Sequence, residues 1–206
     1  MNIPSPPLLV ISGRSQARRP LVEVADAVFR GGCRWFSLRE KDLPAAERRD
    51  LLQALVALGH CFGATVTAHD DIASVIATGA DGVHLPGGSD PAAARRQMPQ
   101  GLIGVSAHAP EEAAAQLAAG ADYVTLSPIF PTDSKPGYRP EGPHLLAAAA
   151  LLTQGPVIAL AGIDETNAAK CLAAGARGIA VMGGVMRAAD PEETVRRLIA
   201  AITAQQ

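Results

Sequence analysis

The sequence predicts an α/β protein, a single-domain (β/α)₈ barrel that spans residues 1–206. The first observation behind this prediction is an internal repeat, in which an Ala-rich amphipathic stretch ends at a glycine and an apolar run follows. The repeat is clearest at Gly79, Gly120 and Gly175, and Gly31 belongs to a weaker copy. The second observation is size, because 206 residues with 48% apolar types can form one sizeable core. Such alternation implies parallel strands joined by crossover helices.

The elements follow from the repeat in chain order. A glycine suits the left-handed position that ends a helix, and the apolar or alternating run after it predicts a strand. The eight predicted strands are residues 8–12, 35–39, 65–68, 82–85, 102–106, 123–126, 156–160 and 179–182. The clearest helices are residues 45–58, 111–119 and 192–202. A doubly wound open sheet is the alternative, but no G-x-G-x-x-G motif follows the first strand.

Charge and cysteine content narrow the classes of protein that fit. A net charge of −2 is untypical of a general nucleic-acid-binding protein. Three widely spaced cysteines offer neither a zinc-type pair nor a disulfide framework, so we expect a reducing compartment. No apolar run nears the roughly 18 residues of a membrane helix, and residues 1–7 lack a charged signal-peptide start. We therefore expect a cytoplasmic protein without nucleic-acid or membrane partners, and a homo-oligomer stays open.

Polar residues gather where the second and third strands end, which is the edge that carries active sites in this fold. Alternation places Ser37, Arg39 and Lys41 on one side, and two cations with a hydroxyl suit a diphosphate. A solvated charge cluster is the alternative. Asp70 is a candidate Mg²⁺ ligand, because Mg²⁺ binds carboxylates together with substrate phosphate oxygens. Asp71 is better explained as the cap of the next helix.

The fourth and fifth strand ends add further candidates. Asp90 is either a second metal ligand or the cap of a helix that begins at Pro91. Ser106 can donate a hydrogen bond to a phosphate oxygen. His108 can serve as an acid or base, although helix capping or support of a neighbour explains it equally well. His84 lies within a strand and is interpreted as a hydrogen-bonded core residue.

A long irregular segment, residues 127–140, follows the sixth strand. Its prolines and glycine exclude a regular helix, and a loop of this length in a compact domain is typically a lid or binding loop. Its candidate phosphate ligands are Thr132, Ser134 and Lys135. After the last two strands, Gly162 and the pair Met182 and Gly183 can offer backbone N–H groups to an anion. The alternative is that these glycines only permit tight turns.

Five segments together resemble one known family over essentially the whole chain. They are residues 38–41, 80–85, 104–108, 129–135 and 175–181. The family is thiamine phosphate synthase with its TenI-like relatives, all (β/α)₈ barrels. Resemblance to the synthase implies a transferase that joins a hydroxymethylpyrimidine diphosphate to a thiazole phosphate, with Mg²⁺, and releases diphosphate. The implied reaction is dissociative, so it needs the charge of the leaving group neutralised rather than a strong base.

The resemblance also implies roles for individual residues. The implied catalytic set, which holds the diphosphate, is Arg39, Lys41, Ser106 and Lys135. The implied metal ligand is Asp70, with Asp90 as a candidate second ligand. Ser37, His69 and His108 at the same strand ends are further candidate substrate-binding residues. The resemblance implies that role for Thr132, Ser134, Gly162, Met182 and Gly183. The last three would offer backbone N–H groups to the thiazole phosphate.

Three departures from the synthase pattern keep other functions open. Ser37 stands where synthases usually have Gln, and His69 stands where they have Asn before the metal-binding Asp. Residues 86–89 replace the segment with the second metal carboxylate, so Asp90 substitutes only if the loop shifts by one residue. One alternative function is a TenI-like thiazole tautomerase. Another is a non-catalytic regulator that binds phosphates of the thiamine pathway.

The tautomerase alternative has a departure of its own. TenI-type tautomerases use a His just after the sixth strand, and the matching residue here is Pro128, which cannot transfer a proton. Glu40, His69 or His108 would have to take over that role.

Overall fold

The computed structural model describes residues 3–132 and 140–204, and its parallel strands close into a barrel. The strands are β1 (Leu8–Ile11), β2 (Trp35–Leu38), β3 (Thr65–His69), β4 (Gly82–Leu85), β5 (Leu102–Ala107), β6 (Tyr123–Leu126), β7 (Val157–Leu160) and β8 (Gly178–Val181). Their order around the barrel is their order in the chain, and β8 pairs with β1 to complete the ring. The predicted (β/α)₈ barrel is therefore confirmed, and the open-sheet alternative is excluded.

Helices occupy the intervals between the strands and cover the outside of the barrel. They are α1 (Leu21–Arg30), α2 (Ala45–Cys61), α3 (Ile72–Thr78), α4 (Pro91–Gln97), α5 (Pro110–Ala118), α6 (His144–Leu152), α7 (Ala168–Ala173), α8 (Gly183–Met186) and α9 (Pro191–Thr203). The short α8 precedes the closing helix α9. Within the described residues, no helix combines the length and the apolar character that a membrane crossing requires.

The glycines of the repeat end helices as expected. Gly79 closes α3 in the left-handed conformation with φ 69°, which costs glycine little because it has no Cβ. Gly120 and Gly175 follow α5 and α7 with φ values of 105° and 99°. In two copies of the repeat an aspartate, Asp81 or Asp122, directly precedes the next strand.

Two layers of apolar side chains make up the core. The larger layer lies between the strands and the helices, and the smaller one fills the inside of the barrel. The inner layer consists of Leu9, Ile11, Trp35, Leu102, Tyr123, Ile158 and Ala180. Gly104 makes room for the Tyr123 ring, since a Cβ at Gly104 would lie 2.1 Å from Cζ of Tyr123. The ring in turn packs edge-on against Trp35, with 4.7 Å between the ring centroids.

Candidate active site

Two cations stand at the barrel mouth directly after β2. Arg39 and Lys41 are both exposed. In the part of the chain that the structure describes, neither side chain forms an ion pair or a hydrogen bond. Their charges are therefore available to an anion, and guanidinium and ammonium groups bind phosphate oxygens well.

The segment that carries these cations is fixed by a buried carboxylate. Glu40 is 4% exposed, and its Oε1 accepts hydrogen bonds from Ser12 Oγ at 2.6 Å and from the Arg14 N–H at 2.9 Å. Ser12 Oγ also accepts the Arg39 N–H at 2.7 Å. This pairing between the ends of β1 and β2 was not predicted from the sequence. Glu40 is thus engaged in holding the backbone, which leaves it poorly placed for the proton transfer that the tautomerase alternative needs.

Asp70 follows β3 in an unusual backbone conformation. Its φ is 51°, in the left-handed region that only glycine and, less often, Asn and Asp adopt without large cost. The Asp70 N–H donates to the carbonyl oxygen of His84 at 3.0 Å, and its exposed carboxylate has no partner among the described residues. Strained backbone of this kind is common at functional sites. Asp71 caps α3, accepting the Ser74 N–H at 3.0 Å, as its position in the sequence indicated.

Asp90 serves as a helix cap in this structure. Its Oδ1 accepts the Ala92 N–H at 2.9 Å at the start of α4, and Pro91 occupies the first turn. The described residues contain no group of three or more His, Cys, Asp or Glu side chains that could hold a metal ion. Mg²⁺ commonly takes one or two carboxylates and completes its shell with substrate phosphate and water. The unpartnered carboxylate of Asp70 fits that kind of site.

Two neutral imidazoles lie next to these charged groups. The rings of His69 and His84 are 4.7 Å apart, on neighbouring strands β3 and β4. Burial lowers the pKa of His69 well below its usual value, and His84, Arg39 and Lys41 lower it further. Burial, with a smaller contribution from Arg39, lowers the pKa of His84 to about 3. His69 Nε2 is buried and has no hydrogen-bond partner in the described chain.

His84 connects the barrel interior to Ser106. His84 Nε2 lies 2.9 Å from Ser106 Oγ, and His84 Nδ1 lies 3.0 Å from the Tyr123 hydroxyl. Thr125 Oγ1 is a more distant neighbour, 3.4 Å from Nε2. His84 is a hydrogen-bonded core residue, as its position within a strand predicted, but its partners were not predicted from the sequence. Strand alternation was the available signal, because residues 84, 104 and 106 all face the barrel interior.

Ser37 and His108 are held by neighbouring groups. Ser37 is fully buried, and its Oγ accepts a hydrogen bond from Thr67 Oγ1 at 2.8 Å. His108 is exposed, and its Nδ1 lies 2.7 Å from the carbonyl oxygen of Ser127. A carbonyl oxygen only accepts, so Nδ1 carries the hydrogen and Nε2 of neutral His108 holds the lone pair. The His108 N–H donates to Glu112 Oε2 at 2.8 Å, which resembles a capping interaction.

The loop after β6 packs on the carboxyl end of β7. The N–H groups of Ile129 and Phe130 donate to the carbonyl oxygens of Leu160 and Ala161, both at 3.1 Å. Gly162 has φ 65°, and a Cβ there would lie 2.3 Å from the Pro131 carbonyl oxygen. Only glycine fits this close approach. Thr132 is half-buried, and Ser134 and Lys135 lie outside the described residues.

Met182 and Gly183 lie at the end of β8. Gly183 is buried at the first position of the short α8, which Met182 precedes. A Cβ on Gly183 would lie 2.5 Å from an Arg187 guanidinium nitrogen. Gly183 therefore does more than permit a turn, because it also allows the arginine to pack against the backbone.

The inside of the barrel mouth has a polar half and an apolar half. Strands β2 to β6 contribute two hydrogen-bonded groups, Ser37 with Thr67, and His84 with Ser106 and Thr125. On the other side are Ile158 and Leu160 of β7, Ala180 of β8, Met182 just after β8, and Leu9 and Ile11 of β1. They belong to one apolar cluster that also includes Trp35, Leu102 and Tyr123, the first residues of β2, β5 and β6. The two cations and Asp70 stand above the polar half. The mouth is thus suited to two different groups at once, one of them highly charged and one of them largely apolar.

Comparison with known proteins gives a consistent result. A family model described as thiamine monophosphate synthase matches residues 8–185. A Geobacter sulfurreducens protein provisionally named thiamine-phosphate synthase is 43% identical over 94% of this chain and 92% of the relative. The thiamine-phosphate synthase of Chlorobium luteolum is 39% identical over 97% and 95%. The solved thiamine phosphate pyrophosphorylase of Pyrococcus furiosus has a TM-score of 0.87 at 31% identity, and the match covers 96% of this chain and 95% of that one.

Proposed function

The chain belongs to the thiamine monophosphate synthase family, and from this premise we propose that it is a thiamine-phosphate synthase. It is a transferase that joins a hydroxymethylpyrimidine diphosphate to a thiazole phosphate and releases diphosphate. The observation that carries this function is the name shared by relatives at 35–43% identity, which match along nearly their whole length in several cases. Its small phosphorylated substrates suit a cytoplasmic enzyme.

The site supplies what a departing diphosphate needs. Arg39 and Lys41 are unpaired cations at the mouth, and their charge stabilises the negative charge that grows on the leaving group. Ser106 stands below them as a hydrogen-bonding hydroxyl. Burial and the neighbouring cations keep His69 neutral, so it adds no charge to the site. The chain's own groups therefore bind and orient the diphosphate rather than attack it.

The apolar half of the mouth suits the second substrate. Leu160, Met182 and Ile11 offer an apolar surface for a thiazole ring. The backbone near Gly162 and Gly183 is close to that surface and offers N–H groups for the thiazole phosphate. Holding both rings in one mouth raises their effective concentration and orients the nitrogen that attacks.

We assign Mg²⁺ binding to Asp70. Its carboxylate has no partner in the described chain and stands at the same edge as Arg39 and Lys41. When bound, Mg²⁺ would neutralise part of the diphosphate charge. Asp90 would contribute a ligand only by giving up its capping bond to Ala92.

The other two functions are not favoured. A tautomerase needs a proton-transfer group, and Pro128 stands where that family branch has its His. Glu40 is buried and already accepts two hydrogen bonds. A non-catalytic regulator has no observation of its own in its support, since the relatives are named as enzymes.

The test is direct detection of thiamine phosphate from the two substrates with and without Mg²⁺. We expect metal-dependent product from the wild type, and a loss of at least about a hundredfold in kcat/KM for Lys41→Ala. Lys170→Ala, which removes an exposed lysine on α7, is the matched control and should keep full activity. Absence of product at high enzyme concentration would overturn the assignment.

A second comparison separates metal binding from helix capping. Asp70→Ala should raise the Mg²⁺ concentration needed for half-maximal rate by about tenfold or more. Asp190 caps α9 as Asp90 caps α4, so Asp190→Ala is the control for a lost cap. If Asp90→Ala changes the Mg²⁺ requirement and Asp190→Ala does not, Asp90 is a metal ligand as well as a cap.

A further inference from the structure

A chain of three side chains runs from the barrel interior to its mouth. Tyr123 is fully buried, His84 is 2% exposed, and Ser106 is half-buried at the end of β5. The Tyr123 hydroxyl is 3.0 Å from His84 Nδ1, and His84 Nε2 is 2.9 Å from Ser106 Oγ. Both imidazole nitrogens are therefore engaged by hydroxyl groups, which can either donate or accept.

The inner end of the chain decides its direction. Among the described residues, His84 Nδ1 is the one hydrogen-bond partner of the Tyr123 hydroxyl. If Nδ1 donated, the phenol hydrogen would be buried without an acceptor, which is unfavourable. If the phenol donates to the Nδ1 lone pair, the phenol hydrogen has its acceptor and Nδ1 carries no hydrogen of its own. Burial raises the pKa of Tyr123 above its usual range and lowers that of His84, so the phenol keeps its hydrogen and the imidazole stays neutral.

We propose that His84 is a positioning residue that sets the direction of the Ser106 hydroxyl. In this arrangement Tyr123 donates to His84 Nδ1, and His84 Nε2–H donates to Ser106 Oγ. The oxygen of Ser106 is occupied as an acceptor, so its own hydrogen points to the mouth as a donor. Ser106 thus meets a phosphate oxygen with a hydrogen already directed at it, at no cost of reorientation.

The opposite tautomer would make Ser106 a worse ligand. With hydrogen on Nδ1, Nε2 would accept the Ser106 hydrogen, and the serine oxygen lone pairs would face the anion. The tautomer of His84 therefore acts on a diphosphate oxygen without contacting it. This inference rests on the proposed function only for the identity of the anion.

The first test reads the tautomer in the protein without substrate. Nitrogen-15 NMR of protein labelled at its five histidines distinguishes a protonated from an unprotonated ring nitrogen. His84→Gln assigns the His84 signals by their disappearance. We expect hydrogen on Nε2 and a lone pair on Nδ1. Hydrogen on Nδ1 would overturn the proposal.

The second test measures binding of inorganic diphosphate, in the presence of Mg²⁺, by calorimetry. Tyr123→Phe removes only the inner donor, and we expect it to weaken binding about three- to tenfold. In a Ser106→Ala background the same change should have no effect, because the chain of three side chains then lacks the hydroxyl that binds the diphosphate. Equal losses in the two backgrounds, or no loss in either, would contradict the proposal.

A control variant excludes a general effect of mutation on folding. Thr78→Val removes a hydroxyl bonded to the Ser74 carbonyl oxygen on α3, away from the mouth, and should leave diphosphate affinity unchanged.

His84→Gln can both accept and donate, so it should retain more affinity than His84→Leu. Equal affinities for these two His84 variants would contradict the proposed positioning role of His84. None of these measurements requires turnover, so an enzyme that makes no thiamine phosphate would refute the proposed function and leave this test intact.

Discussion

At the scale of single residues, the environment of each cysteine predicts its reactivity. Burial raises the pKa of the Cys33 thiol to about 12 and that of Cys171 to about 11, while Cys61 is exposed on α2. Thiolate is the reactive form, so the two buried thiols should be inert in the folded protein.

We expect a thiol reagent such as DTNB to modify one cysteine per chain at about pH 8 in native conditions and three after unfolding. Cys61→Ser should abolish the native reaction and leave two cysteines to react after unfolding. Rapid modification of Cys33 or Cys171 in the folded protein would contradict the burial described above.

The buried imidazole of His84 should make stability depend on pH. Its folded pKa of about 3 lies below the unfolded value of 6.5, so the unfolded chain binds a proton that the native protein does not. Stability from this group is complete above about pH 6.5 and falls as the pH drops toward 3. At pH 5 the expected loss is about 2 kcal/mol.

Urea denaturation between pH 7 and pH 5 measures this loss. His84→Gln should lower stability at pH 7 but show a shallower decline toward pH 5, because glutamine does not titrate. Thr78→Val should shift the whole curve down by a constant amount. A His84→Gln curve parallel to that of the wild type would show that other groups cause the decline.

At the scale of elements, the helix–glycine–strand repeat carries a backbone clamp. Asp122 Oδ2 accepts the Ile103 N–H at 2.7 Å, and Asp81 Oδ2 accepts the Val66 N–H at 2.7 Å. Each aspartate thus ties its own strand to the preceding one at the amino-terminal end. The third copy has Arg177 in this position, so the clamp is not a requirement of the repeat.

The two clamps differ in burial, and so should their contributions to stability. Asp122 is 9% exposed and pairs with Arg95 at 2.6 Å, whereas Asp81 is 35% exposed. Asp122→Ala should lower the free energy of unfolding by about 3 kcal/mol, because it removes two charge-assisted hydrogen bonds of a largely buried carboxylate, from Arg95 and from the Ile103 N–H. Asp81→Ala should cost about 1 kcal/mol. Equal losses in urea denaturation would show that burial does not separate the two sites.

The loop junction at Gly162 gives a second element-scale prediction. Gly162 and Gly63 have nearly the same φ, 65° and 63°, but a Cβ meets the Pro131 oxygen only at Gly162 and nothing within 4 Å at Gly63. In both alanine variants the left-handed conformation costs about 1–2 kcal/mol of strain. Gly162→Ala should lower the free energy of unfolding by about 2 kcal/mol more than Gly63→Ala, and it should raise the KM for thiazole phosphate severalfold. Thermal unfolding with steady-state kinetics checks both, and identical behaviour of the pair would refute the contact.

The elements themselves were predictable because their signals are local. Gly79 and its repeats mark helix ends directly in the chain, so the strands were placed within one or two residues. Asp71 and Asp90 likewise reveal their caps through the residues that follow them. Contacts between distant positions leave no such trace. Glu40 meets Ser12 across 28 residues, and Tyr123 meets His84 across 39, so only the closed barrel brings them together.

At the scale of the whole molecule, charge is concentrated where it is needed. The chain has a net charge of −2, yet Arg39 and Lys41 stand unpaired at the mouth. Their attraction for a diphosphate is exposed to solvent and is therefore screened by salt. Raising the ionic strength from about 0.05 M to about 0.5 M should raise the KM for the pyrimidine diphosphate severalfold.

The KM for the thiazole phosphate provides an internal comparison for that effect. In the proposed site its ring would lie on apolar side chains, so we expect its KM to respond less to salt. Lys41→Ala should flatten the salt dependence of the pyrimidine diphosphate KM, since one of the two charges is gone. An unchanged slope in this variant would mean that other charges attract the substrate.

The division of the barrel interior has a consequence for how such an enzyme can diversify. Near the mouth, its polar half is built by one continuous stretch of chain, from β2 to β6, and its apolar half by the ends of β7, β8 and β1, which are neighbours because the ring closes. Mutations that accumulate in one sector leave the other intact. If the proposed site is right, exchanging Leu160 or Met182 for other apolar side chains should alter which heterocycle is accepted while the departure of diphosphate is preserved.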